Sequence, residues 1–483
     1  MIARHGRPNG AAALLLCAAA ACQITNRIDA CDRGSGLERQ VNARTDGDQT
    51  LQNTRALVAL PSGKAMVAFS SAPAPAGSSS EIRGGFVNAA GVTLGTCSAA
   101  AETTWAPHDD PTAPPKLRLR PTLARPVGTD DHLVLAYAEG AAGSQTFQVF
   151  AQELDGNGCP MGAPVQVSAE PAGMTTSWLQ VVPTGMRQYV VIWGALDQPS
   201  ITGTPHPIRA RAIEAGSIPG QEITFLPTSA SRAGDVVDLP NSTSLYYTLA
   251  AAERGDGGVL LAWIESTVSK NRVRLASFNE VLDLEADTVV SEADGSATPV
   301  DHIGIDVASD GEQALVVWAE HDASDASGRA RVFGRFFTPS DLDPMRAPQA
   351  PNGEQFRLGS TLTAVDEGYP SLAVAPDGGF VATWNESGDP SRADTSGASI
   401  RALLIGADGG PQFANLACDR RDFQLNIGAQ SDQLHPTAVF VADGSLLTGW
   451  TDLGGNGTDR STDTLGAGVR IVALPPHLVR PDR

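Results

Sequence analysis

The chain has 483 residues, 42% hydrophobic and 18% charged, with 50 Gly and 33 Pro, a balance that argues against a disordered or mainly helical protein and allows a large core. Its formal net charge of −20 argues against nucleic acid and anionic lipid headgroups as direct partners, because phosphate binding needs clustered cations. A closed repeat array can be one domain at this length.

In chain order, the first element is an export signal. Arg4 and Arg7 open it, and the apolar run "AAALLLCAAAAC" from Ala11 to Cys22 follows, too short to span a bilayer. Small residues ending at Cys22 resemble a bacterial lipoprotein signal, in which the cysteine is lipidated and becomes the new N-terminus, although Ala19 stands where Leu is usual. The other reading is an ordinary Ala-x-Ala secretory cleavage. Residues 1–21 are thus read as signal peptide and 22–37 as a tether or linker, with the mature chain exported as an outer-membrane lipoprotein or secreted.

From there a phrase recurs: an apolar stretch, a Gly-containing turn, a second apolar stretch and an aromatic. Its seven copies end on Phe69, Tyr137, Trp193, Trp263, Trp318, Trp384 and Trp450, a mean spacing of about 64 residues. Turns such as Asp377-Gly378 and Asp443-Gly444 supply the positive φ angles of a tight hairpin, so each phrase predicts two antiparallel strands. A third run follows, as in "IRARAIE" (208–214) and "VRIVAL" (469–474), and then a fourth, as in "APVQVSA" and "DFQLN". Four strands repeated seven times predict an all-β, seven-bladed β-propeller over 38–474, with a C-terminal tail at 475–483.

The seventh repeat lacks a fourth strand. "ACDRGSGLERQVNARTDGDQ" (30–49) matches "ACDRRDFQLNIGAQSDQ" (417–433) in Ala-Cys-Asp-Arg, in Gln-Val-Asn or Gln-Leu-Asn, and in Asp-Gln six places on. Residues 38–42 are therefore expected to complete the last blade and close the ring, removing its open edges.

The repeat resembles the P-x-x-x-V-x-x-D-G-x-x-V-x-x-W-x-[ED] β-propeller repeats of bacterial exported proteins and lipoproteins, most of unassigned function. The resemblance is specific for the fold and implies no activity.

Two places past the aromatic stands a carboxylate in five of the seven copies: Glu139, Glu265, Glu320, Glu386 and Asp452. A ring of acids could hold Ca²⁺, but the third strand brings Arg83, Arg209, Arg272, Arg331, Arg401 and Arg470, so cross-strand pairing between strands 2 and 3 is the simpler expectation. The acidic loops at 322–330, 387–399 and 452–463 also leave Ca²⁺ open, although none matches a full calcium-loop spacing. No other cofactor is implied.

Candidate catalytic chemistry is sparse, with no His-Glu-x-x-His, Gly-x-Ser-x-Gly or Cys-x-x-Cys. Export permits disulfides. With Cys17 in the signal and Cys22 lipidated, Cys31, Cys97, Cys159 and Cys418 remain, each before a fourth strand. Because a bridge needs Cα atoms within about 7 Å, neighbouring blades give Cys31–Cys418 and Cys97–Cys159. The loops between strands 2 and 3 and the links between blades are long, whereas the 1–2 turns are short. Ligand contact is therefore expected on the long-loop face, with Trp105, His108, Asp109, Asp110, His302, His321 and His435 around the channel mouth.

These observations lead to a monomeric, non-enzymatic envelope or secreted scaffold that binds a protein or carbohydrate. An extracellular polysaccharide hydrolase or lyase with its site at the channel mouth is one alternative, and a structural envelope component another.

Overall fold

In the computed structural model the chain folds as a seven-bladed β-propeller of seven antiparallel sheets. The described residues are 38–42, 47–72, 79–95, 102–106, 115–126, 132–142, 144, 147–168, 179–185, 188–194, 208–214, 223–225, 249–266, 271–292, 302–321, 329–345, 353–359, 365–388, 397–412, 422–426, 432–453 and 467–479. A short helix at Pro476–Val479 ends this set. Among the described residues no helix is long and apolar enough to cross a membrane.

Each repeat phrase gives the two inner strands of a blade, as in Asp366–Val374 paired with Phe380–Ser387. The third strand follows, here Ser399–Ile405, and then short outer strands at Pro411–Gln412 and Phe423–Gln424. The ring closes at the expected place. Arg39–Gln40 is the outermost strand of blade seven, with Arg39 opposite Ile471 and Gln40 opposite Arg470. The Val41 N–H donates to the Val469 carbonyl at 2.9 Å, extending the pairing.

Apolar residues on both faces of the inner strands meet the neighbouring blade, so the core is divided into seams. Each of the seven seam clusters contains one repeat aromatic: Tyr137 between blades one and two, Trp193 and Trp263 at the next two seams, then Trp318, Trp384 and Trp450, with Phe69 at the closing seam. All are buried. A buried tryptophan removes about 150–250 Å² from water, an upper estimate of roughly 4–6 kcal/mol each. These aromatics therefore hold the blades together.

Polar clasps reinforce the seams. Asn42 accepts the Val469 N–H at 2.8 Å and donates to Gln49 at 3.1 Å, while Asp48 accepts the Ala467 N–H at 3.2 Å. The same set recurs one seam away: Asn426 accepts from Ile400 at 2.8 Å and donates to Gln433 at 2.9 Å, and Asp432 accepts from Ala398 at 2.9 Å. The two Gln-x-Asn and Asp-Gln matches of the sequence are these clasps.

The repeat acids and arginines face one another across strands 2 and 3, as at Glu320 opposite Arg331 and Glu265 opposite Arg272, and several take further partners. Asp452 meets Arg470 across strands 2 and 3 at 3.3 Å, as expected. Glu139 binds Arg118 and Lys116 of strand 1, both at 2.8 Å, and Glu320 accepts from the Trp318 indole at 2.9 Å. Three strand-3 arginines also reach outward: Arg83 to Glu102 at 2.7 Å, Arg401 to Asp422 at 3.0 Å, and Arg470 to within 4.0 Å of Glu38. Each of these acids sits two places before the residue opposite its arginine on the outer strand. Outer strands of two to four residues thereby gain an ionic anchor that their few ladder bonds would not supply.

Candidate functional site

Among the described residues the innermost strand of six blades is a single segment, whereas that of blade one is split. Asp48–Thr50 and Leu57–Ala59 both pair with Lys64–Ala72, and residues 51–56 leave the sheet between them. This six-residue plug enters the channel, where Leu51, Asn53, Thr54 and Ala56 are buried. Gln52 accepts the Arg120 N–H of blade two at 2.9 Å, and Asn53 donates to the Leu179 carbonyl of blade three at 2.6 Å. Arg55 donates to the Val307 carbonyl of blade five at 2.6 Å, and the Thr54 carbonyl accepts from Thr437 of blade seven at 2.7 Å. An inner strand presents an unpaired edge to the channel; the plug supplies partners to three such edges and accepts a side-chain hydroxyl from a fourth blade.

Three blades add a shared distortion. In each, two residues of strand 1 bulge opposite a repeat aromatic: Arg120-Pro121 against Tyr137, Tyr369-Pro370 against Trp384, and His435-Pro436 against Trp450. The prolines open the repeat phrase, and the residue before each adopts positive φ, 57° at Arg120, 49° at Tyr369 and 57° at His435. Such backbone costs on the order of 1–3 kcal/mol per residue. Two of the three side chains touch: the Tyr369 and His435 rings stand edge to face with centroids 4.8 Å apart. Burial brings the His435 imidazole down to about 4, against a hydrogen bond to the backbone of Leu51 and with the nearby Arg120 charge adding to the fall. It is neutral at physiological pH.

Below the plug, the channel widens into a cup of about 380 Å³ bounded by the ends of all seven inner strands. These ends lead into the short 1–2 turns, so the cup opens on that face. Its wall is aliphatic, with Arg55 at the plug and Arg125 and Glu253 near the turns. Burial holds the Glu253 carboxyl above the usual carboxylate range, with Arg125 opposing the rise and Asp256 adding to it. Asp306, 3.7 Å from Arg55, is raised by burial as well, and Arg55 and the Leu372 and Val307 N–H groups hold it down.

The structure distributes the sequence candidates widely. His435 lies within the inner strand Gln433–Phe440, in its bulge. His302 begins the inner strand of blade five and His321 ends the second. His108, Asp109 and Asp110 lie outside the described residues, as do Cys22, Cys31, Cys97, Cys418 and most of the long-loop face. Cys159 is described, and its thiol is free rather than bridged to Cys97. Trp105 requires a correction. It is not on a rim but in the outer strand Thr103–Ala106, 4% exposed in the seam between blades one and two, its indole donating to the Gly158 carbonyl at 2.8 Å. Threonine and tryptophan at "TTWA" are strand formers, a signal that the surrounding prolines and acids obscure. A Cβ on Gly84 would come within 2.5 Å of the Trp105 ring, so glycine there makes its room. Among the described residues no group of three or more His, Cys, Asp or Glu could hold a metal ion.

No protein-family model matches the chain, and no curated protein matches it in sequence. Solved structures are similar in fold. The NanB sialidase of Streptococcus pneumoniae shares 9% identity over 92% of this chain and 70% of that one, with a TM-score of 0.42. Trypanosoma rangeli sialidase shares 8% over 79% and 57%, with a TM-score of 0.39. Penicillium chrysogenum α-L-arabinanase in complex with arabinobiose shares 9% over 60% and 90%, with a TM-score of 0.37. These likenesses concern architecture alone.

Proposed function

We propose that the protein is an exported, non-enzymatic β-propeller that binds a carbohydrate or protein across its long-loop face. The observation that carries this reading is the filled channel. Plug and bulge residues occupy its long-loop half and close the channel beneath that face. The acids of the repeat also point to a frame, since Glu139, Glu320 and Asp452 are tied to arginines or an indole of their own blades. A glycosidase needs two carboxyl groups about 5–10 Å apart with room for a sugar between them. Among the described residues the channel offers Glu253 on the cup wall and Asp306 buried behind Arg55. Export, with or without a lipid on Cys22, follows from the N-terminal run.

The test uses the mature chain against arabinan, sialylated glycans and other extracellular polysaccharides, in parallel for retention by affinity electrophoresis and for release of reducing ends or sialic acid. Retention without release is expected. Saturable release of sugar would replace this reading with the hydrolase alternative.

A further inference from the structure

The cup on the opposite face has a chemistry of its own. Its lining carries no aromatic side chain, the surface on which bases and sugar rings stack, and consists largely of alanine and valine. Its volume, about 380 Å³, falls in the range of small-molecule sites and has room for roughly 10–20 non-hydrogen atoms. Two oppositely charged groups line it near the opening, Arg125 following strand 1 of blade two and Glu253 ending strand 1 of blade four. Neither side chain has a hydrogen-bond partner among the described residues, although each feels the other through space. This sets them apart from the ionic residues described above, whose partners are named. Arg55, at the closed end, is already engaged by Val307 and Asp306.

An aliphatic wall with one available guanidinium and one available carboxylate is complementary to a short apolar body bearing an anion and a donor. Arginine presents a planar fork that grips a carboxylate through two parallel hydrogen bonds. Glu253 accepts from an N–H or O–H on the adjoining atom. We propose that the cup binds a small aliphatic molecule carrying a carboxylate with an N–H or O–H donor beside it, an amino or hydroxy acid, either free or as the C-terminal residue of a peptide. This site is separate from the long-loop face and does not depend on what that face binds.

Calorimetric titration of the mature chain with leucine, N-acetyl-leucine, N-acetyl-leucinamide and the tripeptide Ala-Ala-Leu tests the proposal. Saturable binding is expected for the carboxylates, with the amide at least tenfold weaker. Tighter binding of leucine than of the tripeptide assigns a free small molecule, and the reverse order assigns a peptide terminus. Arg125→Gln should weaken carboxylate binding at least tenfold, and Ala59→Phe, which fills the partly open cup, should abolish it, both with an unchanged melting temperature. The proposal is overturned if no carboxylate binds saturably at millimolar concentration, if the amide binds as tightly as the acid, or if Arg125→Gln leaves affinity unchanged. Glycan retention is measured on the same variants. Its persistence in Arg125→Gln separates failure of the cup from failure of the long-loop face.

Discussion

Arg55 of the first blade crosses the channel axis to the fifth, where it donates to the Val307 carbonyl at 2.6 Å and lies 3.7 Å from the fully buried Asp306 carboxylate. Arg55→Leu would leave that carboxylate without its cation, a loss on the order of 3 kcal/mol for a pair open to solvent on one side. Asp306 has a folded pKa raised by burial, and losing Arg55 raises it further. The stability such a group contributes is full below the unfolded carboxylate value of about 3.9 and is lost as pH climbs through the folded value. Urea unfolding should therefore show Arg55→Leu costing more at pH 8 than at pH 5. Equal losses at both would separate Asp306 from the effect.

His435 gives the opposite slope. Its folded value of about 4 lies below the unfolded 6.5, so its contribution is complete above 6.5 and is lost as pH falls towards 4. The loss amounts to at most about 3 kcal/mol. Comparing the wild type with His435→Gln between pH 7 and pH 4 should show a flatter stability profile in the variant. Parallel profiles would show that the imidazole does not titrate as its surroundings require.

The closing clasp rests on Asn42, buried with both ends of its amide engaged. Asn42→Ala should cost about 2 kcal/mol, with a buried N–H and a buried amide oxygen left unpaired. Deleting residues 31–45 should do more, because it exposes the edge of the third strand of blade seven from Val469 to Ile471. A lower melting temperature and concentration-dependent association are expected. A deletion that melts like the parent protein would sink the closure argument.

Trp105 should behave as a packing residue. Trp105→Ala is expected to cost about 3–5 kcal/mol from the emptied seam, together with the bond to Gly158. Glycan or protein retention measured below the lowered melting temperature should be unchanged. Loss of retention with stability intact would return this side chain to a binding role.

The fold was legible because a propeller repeats its packing problem: one aromatic per seam is needed seven times, and Phe69 to Trp450 mark each occurrence. The closure was legible for the same reason, since Asn42 and Asn426 solve identical edges. What repetition could not reveal is the plug. "TLQNTRAL" looks like an approach to a first strand, and only the curvature of the ring brings Gln52, Asn53 and Arg55 against blades two, three and five. Arg125 and Glu253 stand beside ordinary turns in the sequence, 128 positions apart, and become neighbours across a cavity only once the ring exists. The outer ionic anchors are not legible in the sequence, because Glu38, Glu102 and Asp422 precede outer strands too short to announce themselves.

Repeat arrays ordinarily pass stability from each unit to the next alone, so one unit can fray while others stand. The plug breaks that rule. Residues 51–56 tie blade one to blades three and five, which it does not adjoin, so an inner strand they hold cannot leave without breaking those contacts. The ring should melt in a single transition, with calorimetric and van't Hoff enthalpies equal. The same wiring limits how the gene can drift: interior copies such as the fourth are exchangeable in principle, whereas the first carries an axle that no other copy encodes.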